Sequence, residues 1–71
     1  MRFKITYLHN YMGMNVIAMQ ALVTLPKDVV TNQESAMQYL LLTGGFKNET
    51  NDGTVIGNFV PVTAIIGCDP A

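Results

Sequence analysis

The sequence predicts a small α+β protein: a twisted antiparallel sheet with one helix packed on one face, in the order β-β-α-β-β. Three observations predict this class. The chain opens with an alternating segment, an apolar segment follows it, and only one later segment combines helical spacing with helix-ending signals. The 71 residues suffice for one domain, residues 1–71, and no repeat or linker divides them.

The first predicted strand covers residues 2–8. Phe3, Ile5 and Tyr7 alternate with polar residues, a pattern typical of a strand with one buried and one wet face. Residues 9–14 are predicted to form the turn that follows, with Gly13 as its positive-φ residue.

The second predicted strand, residues 15–25, is apolar on both faces. One face carries Ile17, Met19, Ala21, Val23 and Leu25, and the other carries Val16, Ala18, Gln20 and Leu22. This pattern indicates a central strand that is covered on both sides. The single helix covers one face, so we expect a partner on the other; a curled sheet that covers itself is the alternative.

The helix is predicted after Pro26. Thr31 and Glu34 have the spacing of a capping box, and Gly44 with Gly45 ends the helix. The predicted apolar stripe consists of Ala36, Met37, Leu40 and Leu41.

The last third of the chain is predicted to be β structure. A short strand over 46–50 leads through the turn Asn51-Asp52-Gly53 into a long segment over 54–67. A bend is expected between Gly57 and Pro61. The expected inward face of this segment consists of Val60, Val62, Ala64 and Ile66.

Charged residues are scarce, and this favours association. Four Lys and Arg with five Asp and Glu make 13% of the chain, against about 25% in an average soluble protein. Cys68 is the only cysteine, so no intrachain disulfide strengthens the small core. We therefore expect a homo-oligomer, most simply a dimer. The alternative is a monomer whose surface is solvated by Asn, Gln and Thr side chains.

The charge pattern also limits the class of partner. Net charge is −1 with no basic run, which argues against nucleic acid. No apolar run approaches the ~20 residues that span a bilayer, so no membrane partner is expected. A lone cysteine suits a reducing compartment, and we expect a cytoplasmic location.

The catalytic inventory is thin. Ser35, His9 and Cys68 each occur once as their residue type, and no nucleophile motif surrounds any of them. We expect no hydrolytic activity that depends on them. No Cys/His cluster has metal-ligand spacing and no cofactor motif occurs, so neither a metal nor a cofactor is expected.

Two groups of residues are candidates for binding. The first surrounds Gly13 and offers Met and aromatic side chains, which suit an adaptable contact surface unless they fold back on the domain. It consists of His9, Asn10, Tyr11, Met12 and Met14. The second consists of Asn32 and Gln33, because the start of a helix attracts anions.

Two functions fit these features. The first is a small non-catalytic binding protein that self-associates and blocks or sequesters another macromolecule, as short accessory inhibitors of phages and mobile elements do. The second is a protein, or a minimal enzyme, that binds a nucleotide or another anion at a subunit interface. In that case Asn10, Asn32, Gln33 and Asn58 would orient the ligand.

Overall fold

A computed structural model describes residues 1–11, 15–50 and 52–71; the side chains at positions 10, 11, 15, 56 and 58 are outside this description. Its elements, in chain order, are β1 (Arg2–Tyr11), β2 (Asn15–Thr24), α1 (Gln33–Thr43), β3 (Gly45–Glu49), β4 (Val55–Pro61), a 3₁₀ turn (Val62–Ala64) and β5 (Ile65–Pro70).

The five strands form one open antiparallel sheet in the order β4-β3-β2-β1-β5. The predicted α+β class, the single helix and the central position of β2 are confirmed. The predicted order β-β-α-β-β is wrong by one strand, because the segment over 54–67 is divided into β4 and β5. Pro61 has no N–H to extend the ladder, and Val62 N instead donates to Gly44 O at 2.9 Å.

β1 and β2 form a long, regular hairpin. Their pairing runs without interruption from Arg2 opposite Thr24 to Tyr11 opposite Asn15. The turn predicted over 9–14 is therefore wrong for residues 9–11, which continue β1 because ladder pairing outweighs the weak strand propensity of His9 and Asn10. Met12, Gly13 and Met14 lie outside the described residues.

The core lies between one face of the sheet and α1. Phe3 and Ile5 are fully buried, and Ala36 and Leu40 meet them from the helix. Leu41, predicted to be in the buried stripe, is instead 63% exposed. It lies about 100° around the helix from Leu40, beyond the arc that faces the sheet. Of the inward face predicted for 54–67, Val60 is buried but Ile66 is exposed, because the chain turns between them.

The helix begins one residue later than predicted. Asn32 is the N-cap, and its Oδ1 accepts from Ser35 N at 2.8 Å. Ser35 Oγ in return accepts from Asn32 N at 3.0 Å. The predicted Thr31–Glu34 capping box is wrong because the pair Asn32 and Ser35 satisfies the same spacing one position further on. At the other end, Gly44 has φ 86° and its N–H donates to Leu40 O, as the glycine pair predicted.

The sheet curls towards its buried face. β4 and β5 are opposite edges, which in a flat five-stranded sheet lie about 19 Å apart. The 3₁₀ turn between them spans only about 8 Å. The curl brings the ring of Phe46 on β3 edge-on to Tyr7 on β1, with centroids 6.4 Å apart, although β2 lies between these strands. On the buried side, therefore, β3 packs against β1 and the sheet covers part of its own face.

The cap assignment predicts how two neighbouring substitutions differ. Asn32→Ala removes the acceptor for Ser35 N and should cost about 1 kcal/mol, a fall of roughly 4–8 °C in Tm for a domain of this size. Thr31→Ala leaves the cap intact and should change Tm little. Thermal unfolding followed by circular dichroism measures both; a larger fall for Thr31→Ala would contradict the observed cap.

Candidate functional site

A cleft of about 440 Å³ lies between the β1–β2 hairpin and β4. Its size is within the usual range for small-molecule sites, about 300–1,000 Å³. The lining residues are Tyr7, Leu8, His9, Met19, Asn48, Gly57, Phe59, Val60, Pro61 and Ala64. None of the described residues that line it is Lys or Arg.

Polar groups in the cleft are few and partly engaged. The Tyr7 hydroxyl donates to Met19 Sδ at 4.0 Å, a long contact to a weak acceptor. Asn48 Oδ1 is buried and has no hydrogen-bond partner among the described residues. The Asn48 amide lies in the space that a Cβ would take at Gly57, so a larger residue at position 57 would make this amide move.

Of the predicted contact surface around Gly13, the structure places only His9. Its side chain is exposed and lines the cleft. Asn10 and Tyr11 lie in β1, but their side chains are outside the description, as are Met12 and Met14. An adaptable surface at this end of the hairpin stays a prediction.

Asn32 and Gln33 lie at the start of α1 and do not line the cleft. Asn32 holds the helix cap, and Gln33 Nε2 donates to the backbone carbonyl of Cys68 on β5. Both side chains therefore already have partners within the chain. An anion at the helix start would have to compete with the Asn32 side chain for the Ser35 N–H.

Ser35 and Cys68 both have structural roles, Ser35 through hydrogen bonds and Cys68 through packing. Ser35 Oγ accepts from Thr31 N at 2.9 Å and donates to Asn32 O at 3.0 Å. Cys68 is 3% exposed. Burial, and to a smaller degree the neighbouring Asp69 carboxylate, raises the pKa of the Cys68 thiol. Neither group is presented as a nucleophile in this arrangement.

A second candidate surface is the exposed half of β2. Five consecutive residues, Val16 to Gln20, are exposed, and none is charged. Since neighbouring residues of a strand point to opposite faces, this run shows that neither face is covered here. Ile17 and Met19 were predicted to share the buried face with Ala21. They are instead 44% and 38% exposed.

No sequence pattern predicted this exposed half of β2. Among the described residues, β2 pairs with β3 only at Leu22 opposite Glu49. β3 ends at Glu49, opposite Leu22, and no local pattern of β2 records where its neighbour ends. Alternation alone therefore predicted a strand that is buried along its whole length.

These features define a small α+β protein with a five-stranded antiparallel sheet and one helix. Comparison with protein-family models, with curated proteins and with solved structures gives no match for the chain. Within residues 1–11, 15–50 and 52–71, no three His, Cys, Asp or Glu side chains are placed to hold a metal ion. No helix in the same ranges has the length and apolarity to cross a membrane.

The burial of Cys68 predicts slow thiol labelling. In the native protein at pH 7, Cys68 should react with iodoacetamide at least about tenfold more slowly than in denaturant, because the thiol is shielded and its pKa is raised. Mass spectrometry over time measures the rate. Gln38→Cys on a Cys68→Ala background provides the exposed control on α1. Equal rates for Cys68 and this control would contradict the buried, inert assignment.

Proposed function

We propose that this chain is a non-catalytic binding protein that self-associates, most simply as a dimer, and blocks or sequesters another macromolecule. The observation that carries the proposal is the exposed run Val16 to Gln20 on a strand that is open on both faces. An uncharged apolar segment of this kind is typical of an interaction surface.

The energetics favour covering this run. Val16 is 61% exposed, Ile17 44% and Met19 38%. Removing the exposed part of each side chain from water contributes on the order of 1 kcal/mol. In a chain with 13% charged residues, few charged side chains are present to keep this surface solvated. Association supplies the burial that so small a core lacks.

The non-catalytic part of the proposal is supported by the placement of the reactive groups. Ser35 serves the helix cap and Cys68 is packed in the core. His9 lines the cleft, whereas Ser35 and Cys68 do not. A reducing compartment such as the cytoplasm belongs to the same proposal, because the single cysteine is kept as a free thiol.

Sedimentation at micromolar concentration tests self-association. The wild-type chain should sediment with twice its mass of 7.8 kDa. If the dimer stacks two β2 faces, Gln20→Lys should shift the mass towards that of one chain, because it places a charge without a partner in the interface. If the dimer pairs along the β2 edge, this side chain stays in water and the mass should not change. Gln38→Lys makes the same chemical change on the exposed side of α1 and should leave the dimer intact.

Two results would contradict the proposal. A wild-type mass of a single chain across the micromolar range removes self-association. Equal dissociation by Gln20→Lys and Gln38→Lys shows that net charge, rather than the surface around Gln20, controls the mass. Circular dichroism of both variants confirms that each is folded.

A second candidate function is the binding of a small ligand in the cleft. The observation that favours it is the presence of His9, a predicted binding residue, beside Tyr7 and Asn48 in a space of suitable size. Thermal unfolding with a panel of nucleotides separates the candidates. If the protein is a binding module, Tm should not rise; a rise that His9→Ala abolishes would instead make the cleft the functional site.

A further inference from the structure

The outer edge of β2 from residue 15 to residue 21 pairs with none of the described residues of β3. All ten residues of β2 pair with β1, yet only Leu22 pairs with β3 among the described residues. In an antiparallel ladder, every second residue directs its N–H and C=O away from the strand it already pairs with. From residue 15 to residue 21 these groups therefore face outwards.

The free edge of β2 differs from the two outer edges of the sheet. β4 is interrupted by a register shift opposite β3 and contains Gly57 and Pro61. β5 has a register shift opposite β1 and ends with Asp69 and Pro70. Bulges, prolines and charges are the devices that prevent edge strands from pairing with other chains. Residues 15–21 of β2 contain no bulge in their pairing with β1, no proline and no charged residue.

We propose that this edge pairs with the same edge of a second copy of the chain, antiparallel about a two-fold axis. The proposal rests on the self-association proposed above and identifies the surface that mediates it. The charge pattern selects this occupant. In a symmetric antiparallel pair a strand faces itself, so any charge near its centre meets a like charge. No charged residue occurs between Ile5 and Pro26, so this strand meets its own copy without repulsion.

The length of the edge also sets the register. Pairing all of residues 15–21, from the start of β2 to the residue before its bridge with β3, places the axis at Ala18. Ala18 then faces Ala18 of the second copy, and Ile17 faces Met19. These contacts are isologous: the contact between Ile17 of one copy and Met19 of the other occurs twice, once on each side of the axis. The two sheets join into one continuous sheet, and the backbone groups that point outwards from β2 become hydrogen-bonded.

A symmetric disulfide tests the register. On a Cys68→Ala background, Ala18→Cys places two thiols on opposed Cα atoms about 5 Å apart, within the range a disulfide spans. Leu8→Cys is the matched control, because Leu8 lies opposite Ala18 on β1 and is exposed. Its two copies would be about 14 Å apart, three strand spacings, which is too far. Mild oxidation should yield a covalent dimer for Ala18→Cys only.

A charge variant provides an independent measurement. Ala18→Lys places two like charges opposite each other at the axis and should raise the dimer dissociation constant about tenfold or more. Leu8→Lys, one strand away from the edge, should change it much less. Both are measured by sedimentation, with circular dichroism to confirm folding.

The outcomes separate this inference from the proposed function. A dimer mass without the Ala18→Cys disulfide, or with equal disulfide formation by Leu8→Cys, overturns the edge pairing while self-association stands. A dimer that Ala18→Lys does not weaken also overturns it. A wild-type mass of one chain, which leaves the edge free for a strand of another protein, overturns both.

Discussion

The three-residue connection between β4 and β5 constrains the rest of the structure. These strands are opposite edges of the sheet, so a link as short as Val62–Ala64 forces the sheet to curl. The curl brings Phe46 and Val60 into the same core as the buried face of β1. One helix and the folded-over strands together then cover that face. The described residues contain no second α-helix that could do so.

The β1–β2 hairpin extends beyond the end of β3. At Leu22, β2 pairs with Glu49, the last residue of β3, and Thr24 Oγ1 donates to Glu49 Oε1 at 2.8 Å. Arg2 Nη2 on β1 donates to Thr50 O, just past the end of β3, at 2.8 Å. The far half of the hairpin thus gains no covering layer, and its apolar side chains stay in contact with water. The cleft lies between this half and β4.

Most of the residues that suggest chemistry are used to build the fold. Ser35 completes the N-cap of α1, and Gln33 ties the helix to β5 through the carbonyl of Cys68. Cys68 itself packs beside Ile5, its pairing partner in β1. In a small domain each buried group contributes a large share of the free energy of unfolding. Polar side chains are therefore often used to cap helices and to form hydrogen bonds between elements.

The sequence by itself determined the local features of this protein. Alternation at Phe3, Ile5 and Tyr7 and the glycine pair after Thr43 depend on neighbours in the chain, so the first strand and the end of the helix were predictable. The helix start was missed by one residue because two overlapping cap patterns, Thr31–Glu34 and Asn32–Ser35, satisfy the same spacing. Only the tertiary structure decided that residues 54–67 divide into two edge strands and that β2 is covered along half its length. Both depend on where distant strands meet, and the local pattern of side chains does not encode that geometry.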